Sequence, residues 1–425
     1  MALVVQKYGG TSVGSPERIQ AVARRVAAAR RAGDDLVVVV SAMGDTTDEL
    51  LGLASAVTGG AHAGAAHPRE MDMLLTAGER ISMALVAMAI RQAGEEALSF
   101  TGSQAAIITD ETHTAARIVQ VRADRVREEL AKGHVVIVAG FQGVSRAKEI
   151  TTLGRGGSDT TAVALAAALK ADRCEIYTDV DGVFTCDPRR VPGARPIPEI
   201  SHAEMLEMAT SGAQVMHARA VEIGARFGVD IRVLSSFNDA PAESRGTLIT
   251  RSPNRMEELV LTGIASSRGQ ARLVLRGLPA GLGTATEVLA GLAEGGVSVD
   301  MIAECTGGDG RVQMQVTTAA ETLERAREVA GAISERLGGA GVEAEDGFSR
   351  IALVGSGMHG RPGVYARAFR ALLDAGAEVH AVSTSSISIT LLVPSAQEDA
   401  ALRALHAAFA LEMEPQAAGA VPAGR

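Results

Sequence analysis

The sequence of 425 residues has no tryptophan, three tyrosines and eight phenylalanines, so aromatic side chains make up only 3% of it. Proteins that grip single-stranded nucleic acid stack bases on aromatic platforms, and this chain is too poor in rings to build them. Cysteine is equally scarce. Cys174, Cys186 and Cys305 form no CxxC pair, which excludes a disulfide framework and suits a reducing, cytoplasmic setting. Long apolar runs are missing: Ile81–Ile90 and Ala162–Leu169 fall well short of the roughly 18 residues of a membrane span. No basic-then-apolar leader precedes the first strand-like run, Leu3–Val5. Basic charge is in deficit, with 41 Lys and Arg against 50 Asp and Glu, a net −9. Such a chain is a poor partner for a nucleic-acid backbone or an anionic lipid surface. The nine histidines are scattered, no HExxH or Cys/His spacing supports a protein-held metal, and no GxSxG elbow accompanies the serines.

What is present is length for about three domain-sized units and glycine in excess: 47 of 425 residues, about 11% against a usual 7%. The first 250 or so residues alternate strand and helix signals. Leu3–Val5, Leu36–Val40, Val135–Ala139, Glu175–Thr178 and Asp230–Leu234 read as strands. Glu17–Ala32 (with Ser15-Pro16 as cap and first residue), Ile81–Gln92, Thr160–Lys170 and Leu206–Phe227, interrupted near Gly212, read as helices. The alternation predicts an α/β fold with a mostly parallel sheet covered on both faces. Val57–Pro68 reads as a surface loop and Asn238–Arg255 as a connection. The last third carries a weak internal repeat. Strands are expected at Arg272–Arg276, Val297–Ile302 and Val312–Thr317, with helices at Thr284–Gly295 and Glu321–Leu337. The pattern returns with strands at Arg350–Val354, Glu378–Val382 and Ile387–Val393 and helices at Val364–Gly376 and Gln397–Phe409. Two ferredoxin-like β-α-β-β-α-β modules are expected there.

Three strand ends carry chemistry. Lys7-Tyr8-Gly9-Gly10-Thr11-Ser12-Val13-Gly14 follows the first strand. Two glycines let backbone amides approach an anion and Lys7 adds a charge, although a tight strand-to-helix turn would use the same residues. Gly154-Arg155-Gly156-Gly157-Ser158-Asp159-Thr160-Thr161 leads into an Ala-rich helix, whose N-terminal amides and Arg155 suit an anionic substrate. Asp159 is either a helix cap or the organiser of a lysine or a metal-bound phosphate. Thr178-Asp179-Val180-Asp181-Gly182-Val183-Phe184-Thr185-Cys186-Asp187-Pro188-Arg189 lacks the later ligands of a calcium loop and suits a nucleotide better. Ser41 stands at another strand end, and Glu79, in Thr76-Ala77-Gly78-Glu79-Arg80, reads as a first-turn acid of the Ile81 helix or a site residue. Gly355-Ser356-Gly357-Met358-His359-Gly360 matches a dinucleotide fingerprint, but only 65 residues follow it, too few for that fold.

In this order, Lys7–Gly14, Val40-Ser41-Ala42-Met43-Gly44, Thr76–Arg80, Thr152–Thr161 and Glu175–Arg189 resemble the aspartokinase family over nearly the whole chain. The resemblance implies an amino-acid-kinase (carbamate-kinase-like) catalytic domain over 1–250, ACT modules over 256–345 and 346–412, and a tail over 413–425. It implies phosphorylation of the side chain of L-aspartate by ATP with Mg²⁺, opening the pathway to the aspartate-derived amino acids. In that scheme Lys7 neutralises the transferring phosphoryl group, and Tyr8, Gly9 and Gly10 line the phosphates. Asp159 orients Lys7 or the metal-phosphate end. Arg155, Gly156, Gly157 and Ser158 hold a carboxylate, Glu79 receives the ammonium, and Ser41 and Thr46 complete the aspartate side. Thr178, Asp179, Phe184, Thr185, Asp187, Arg189 and Gln214 surround the nucleotide. An amino-acid effector is expected around Ala280, Asp300, Glu304, Glu378 and Ser385. A homo-oligomer is expected, and Met256 stands where an internal start would give a separate regulatory subunit.

Several positions depart from the family pattern. Gln214 replaces a lysine, and Phe184 keeps a ring that is often tyrosine. Ala280-Gly281-Leu282-Gly283 stands for Asp-x-Pro-Gly, Glu304 for Gln, Glu378 for Asn and Ser386 for Glu. These changes rearrange the charges an amino-acid effector needs, so inhibition by lysine and threonine is expected to be weak or absent. The alternatives weighed against an ordinary aspartate kinase are a feedback-insensitive, pathway-dedicated kinase, a kinase acting on another amino-acid carboxylate, and a regulatory subunit with a weak kinase activity.

Overall fold

A computed structural model describes residues 2–60, 67–238, 246–254, 260–308, 310–358 and 361–413. The chain divides into two compact units, Met1–Val183 with Pro196–Ala209 and Gln214–Arg255, and Phe184–Arg195 with Thr210–Ala213 and Met256–Arg425. Two short segments of the first 250 residues thus pack with the C-terminal unit. The internal start considered at Met256 and the end of the fingerprint-like run, His359-Gly360, lie outside the described residues.

The first unit is built on strands β1 (Leu3–Tyr8), β2 (Asp35–Val40), β3 (Ala97–Phe100), β6 (Val135–Ala139), β9 (Arg173–Thr178), β10 (Glu199–Ser201), β11 (Ile231–Ser235) and β12 (Thr247–Thr250). They form one sheet in the order β10-β12-β11-β9-β1-β2-β6-β3. All its pairings are parallel except β11 with β12. Leu36–Val40 and Val135–Ala139 are buried throughout, which is why they read as continuous apolar runs rather than alternating ones. A second sheet, missed in the sequence, joins β5 (Ile118–Val121), β4 (Ile107–Thr109), β7 (Gln142–Ser145) and β8 (Ile150–Thr152). Strands of three or four residues are too short to show a period.

Helix α1 (Pro16–Arg31) starts as expected: Ser15 Oγ accepts from the Arg18 amide, and Pro16 is the first helical residue. Helix α2 (Thr46–Thr58) buries no residue, so no apolar stripe announced it, and it occupies the start of the segment read as loop. Helix α3 runs over Pro68–Gln92, thirteen residues earlier than expected. Its first half hides polar residues (Asp72, Thr76 and Glu79) among its buried positions, which broke the apolar pattern. Glu79 is accordingly mid-helix and not in a first turn. Helix α3 is long and apolar enough to cross a membrane by length and composition alone, yet its buried side packs on this unit's core and on α1. The remaining helices here are α4 (Asp124–Ala131), α5 (Gly157–Leu169), α6 (His202–Thr210) and α7 (Ala218–Phe227). The last two replace the single interrupted helix expected at Leu206–Phe227.

The second unit holds one sheet in the order β14-β15-β13-β16-β18-β17, formed by β13 (Gly263–Pro279), β14 (Ile302–Thr306), β15 (Arg311–Ala319), β16 (Gly341–Val354), β17 (Ala381–Thr384) and β18 (Ser388–Pro394). Helices α8 (Leu282–Glu294), α9 (Leu323–Arg336), α10 (Val364–Asp374) and α11 (Glu398–Ala408) connect them. Both predicted modules are present, with two corrections. The strand expected at Val297–Ile302 begins only at Ile302, and the one expected at Glu378–Val382 begins at Ala381. The modules also share strands. The far half of β13 pairs with the near half of β16 (Arg272↔Glu345 to Arg276↔Gly341) in the first module. The near half of β13 pairs with the far half of β16 (Gly263↔Val354 to Ser267↔Arg350) and closes the second. The boundary near residue 345 thus falls inside one continuous strand.

Candidate active site

The carboxyl ends of parallel strands are where α/β sheets bind ligands, and in the first unit the selected motifs converge there. From the end of β1, Lys7 Nζ reaches Asp159 Oδ1 at 2.7 Å, in the first turn of α5. Both side chains are only about one-tenth exposed (11% and 12%), so the pair is fixed rather than solvated. The chain then turns through Gly9, whose amide donates to the Tyr177 carbonyl of β9 at 3.2 Å. Gly10 lies so close to the next loop that a Cβ on it would fall 2.8 Å from the Ala42 carbonyl oxygen. Any larger residue would push the two loops apart.

That neighbouring loop follows β2. The Ser41 amide donates to the Tyr8 carbonyl at 3.1 Å, the Gly44 amide donates to Gly10 at 3.1 Å, and Thr46 opens α2 with its hydroxyl donating to Met43. The Ala42 amide donates to Glu79 Oε1 at 3.2 Å. Glu79 is 4% exposed and its Oε2 has no hydrogen-bond partner among the described residues. Burial drives its pKa up to about 7, against the pull of its backbone hydrogen bonds. A buried carboxylate with one oxygen unpaired is the feature expected where a cation, such as a substrate ammonium, completes the charge balance. Lys7, Gly9, Gly10, Ser41, Thr46, Glu79, Ser158 and Asp159 therefore belong to one neighbourhood at the ends of β1 and β2 and the start of α5. Gly156 and Gly157 open α5, and Arg155 precedes them, exposed and without an ion-pair partner among the described residues.

Other selected residues are placed differently. Tyr8 is wholly buried, stacked on Tyr177 with ring centroids 4.7 Å apart, and its hydroxyl donates to Gln6. Its ring is a core element and leaves only its backbone at the loop. Thr178 and Asp179 close β9, their side chains bonded to each other at 3.1 Å. Gln214 is exposed ahead of α7. Phe184, Thr185, Asp187 and Arg189 belong to the second unit. There Thr185 is buried with its hydroxyl 3.0 Å from His406 Nε2, and Arg189 grips Asp187 through two hydrogen bonds, which hold the carboxyl below its usual range.

The effector candidates sort to the two ends of the six-stranded sheet. Glu304 lies exposed on edge strand β14, Asp300 just before it pairs with Arg350, and Ala280 precedes the first turn of α8. At the opposite end, Glu378 and Ser385 flank edge strand β17, where the Glu378 amide donates to Gln397 and the Ser385 and Ser388 hydroxyls meet at 2.9 Å.

Two supporting residues carried no sequence signal. Asp72, fully buried on α3, accepts from the Thr114 amide at 3.0 Å and the Thr152 hydroxyl at 2.5 Å and lies 2.6 Å from His113 Nδ1. His217 packs on Gly156. Isolated in the sequence, each gains its meaning only from a partner far along the chain.

The amino acid kinase family profile matches residues 2–235, and an ACT domain profile matches 351–409. Aspartokinases of Mycolicibacterium smegmatis and Corynebacterium glutamicum are 49% and 48% identical to the chain, each over its full length and theirs. The chain belongs to the aspartokinase family. Among solved structures, that of Escherichia coli aspartokinase III in complex with aspartate and ADP superposes with a TM-score of 0.79 at 27% identity, covering 96% of this chain and 99% of that one. The same enzyme in complex with lysine and aspartate gives 0.72 at 27% identity, covering 95% and 99%. The aspartokinase fold, a kinase domain followed by ACT modules, is thus the frame in which the Lys7–Asp159 pair and Glu79 stand.

Proposed function

We propose that this chain transfers the terminal phosphoryl group of ATP to the side-chain carboxylate of L-aspartate, giving 4-phospho-L-aspartate and ADP. The observation that carries the reading is the buried Lys7–Asp159 pair beside the glycine turn, with the unpaired Glu79 carboxylate oxygen in the same neighbourhood. The nucleophile is a carboxylate already ionised at neutral pH, so no general base is needed. Catalysis then rests on positioning and on neutralising developing charge. Lys7 supplies that charge at the transferring group, and Asp159 holds Lys7 in place. The turn at Gly9 and Gly10, which carries no side chains, lets the phosphates approach the backbone. Glu79 takes the substrate ammonium, Ser41 and Thr46 border the aspartate, and Arg155, with the start of α5 at Gly156, Gly157 and Ser158, takes a substrate carboxylate. Thr178 and Asp179 lie on the nucleotide side, and Gln214, in place of a lysine, weakens the hold on ATP. Mg²⁺ enters with ATP as part of the substrate, neutralising charge on its phosphates.

Around this core we infer a cytoplasmic homo-oligomer whose ACT modules carry an amino-acid effector site that lysine and threonine occupy weakly or not at all. The acid-poor Ala280 loop and the added Glu304 and Glu378 support that reading. The test is ADP release with aspartate as acceptor, with the acyl phosphate trapped by hydroxylamine, in the presence and absence of lysine plus threonine. Hydroxamate formed equally in both conditions is the expected result. No hydroxamate overturns the kinase reading, and strong suppression overturns the reading of the effector loops.

A further inference from the structure

The loop that precedes α5 is held from two sides. On one side the Leu153 amide donates to the Phe141 carbonyl at 2.9 Å, and the Phe141 amide donates to the Thr161 hydroxyl of α5 at 3.2 Å. On the other stands the residue capping α7. His217 is packed so closely on Gly156 that a Cβ there would fall 2.2 Å from its Cγ and 2.5 Å from its Cδ2. Gly156 also has φ +68°, a conformation that other residues reach only with strain. Two residues beyond His217, Arg219 Nη1 donates to the Leu153 carbonyl at 2.5 Å and Nη2 to the Ala116 carbonyl at 2.8 Å. The loop is therefore gripped at residues 153 and 156, on both sides of Arg155.

Between those grips Gly154 and Gly156 both have positive φ, which lifts Arg155 to an exposed crest. Left alone, a stretch with three glycines would sample many conformations, and ordering it would fall to the substrate. Among the described residues His217 Nδ1 is buried with no hydrogen-bond partner. The contact that accounts for the ring's place is its packing on Gly156.

We propose that His217 and Arg219 are positioning residues for the anion-binding loop: they preset Gly154–Ser158 so that Arg155 and the first amides of α5 meet the substrate carboxylate without a cost of ordering. The inference rests on the reading of that loop as the aspartate subsite, and it extends it to the element that shapes the loop from outside.

The test compares His217→Ala and the ring-retaining His217→Phe with the wild type in the full-length protein. His217→Ala is expected to raise KM for aspartate by about tenfold or more, while KM for ATP and the melting temperature stay close to wild type. His217→Phe, which restores packing without a nitrogen, is expected to recover most of the loss. Hydrogen exchange at the amides of residues 154–160 gives a readout independent of turnover, with faster exchange expected in His217→Ala. Unchanged aspartate KM and unchanged exchange overturn the inference, as does an equal rise in both KM values with a lowered melting temperature. A wild type that forms no hydroxamate sinks the kinase reading instead, and the exchange data then still decide whether His217 orders the loop.

Discussion

Lys7 and Asp159 were legible as site residues because each sits in a contiguous glycine-rich motif at a strand or helix end. Their pairing across 152 positions was one of two roles left open for Asp159. The pair has a direct consequence: Asp159→Asn leaves the buried Lys7 without its counter-charge and free to swing from the phosphoryl path. We expect kcat to fall by about 10²-fold or more, measured by ADP release at saturating substrates; a change within a factor of about three would remove the pair from the mechanism. Glu79 makes a prediction about pH. Its folded pKa, about 7, lies above its unfolded value, so the folded protein holds a proton that the unfolded chain has released. Stability from this group is complete below about pH 4.5 and declines as pH rises to about 7. Glu79→Gln should therefore raise the melting temperature of the ligand-free protein at pH 8 and leave it nearly unchanged at pH 5. An ammonium ligand prefers the ionised form, so KM for aspartate should fall between pH 6 and pH 8 in the wild type, and a flat profile would separate Glu79 from the substrate. Tyr8 shows the limit of residue-level reading. It lies within the motif, but its ring went to the core beside Tyr177, and only the packed sheet decides which way a strand residue faces.

Elements with a clean apolar period or an unbroken apolar run emerged from the sequence almost at their true bounds: α1, β2, β6, and α10 and α11. Those that bury polar groups did not. The first half of α3 was lost because Asp72, Thr76 and Glu79 interrupt its inner face, and the four-stranded sheet was lost because its strands are short. The segment Phe184–Arg195 is the sharpest case, since its sequence reads as part of the nucleotide loop while its apolar residues Cys186 and Val191 lie in a core with Ile351 and Leu402. Its anchor is electrostatic: Arg190 pairs with Glu398, at the start of α11, at 2.5 Å and also with Asp399. Arg268 adds a second bond to Glu398 at 2.6 Å. Burial alone would push the Glu398 carboxyl up, but bonds from Arg190, Arg268 and Ser266 outweigh it and hold it at about 2. Arg190→Ala leaves that carboxylate buried with a weakened set of partners. Breaking such a pair from one side costs about 3–5 kcal/mol, so a clear drop in the melting temperature is expected near neutral pH. Its stabilisation is lost as pH falls from about 4.5 toward 2, so the difference from wild type should shrink in acid. A variant that melts like the wild type at pH 7 would show that the cluster is screened by solvent.

At the scale of the molecule, the repeat in the last third was visible because two βαββαβ patterns have the same period. The sharing of strands was not, since a strand twice the usual length looks like an ordinary strand plus a polar extension. The near half of β13 lies before the first module in sequence and closes the second in space. The two modules therefore cannot be cut apart at any single peptide bond, and β16 runs without a break through both. The Ile264 amide donates to Thr185 at 2.8 Å, so the next amide, that of Ala265, faces β16, where Ala265 is paired with Ala352. Proline at 265 removes that donor from a buried position of the shared sheet. If the sheet is one cooperative unit, Ala265→Pro should speed hydrogen exchange in β18, which belongs to the second module, and equally in β15, which belongs to the first. Exchange that quickens in β18 while β15 keeps its protection would mean that the register shifts of β13 between Ser267 and Arg272 insulate the halves. In the cooperative case a ligand that tightens one edge of the sheet, at β14 or at β17, stabilises the other edge as well. An effector bound near Glu304 would then be felt at Glu378 through backbone pairing alone.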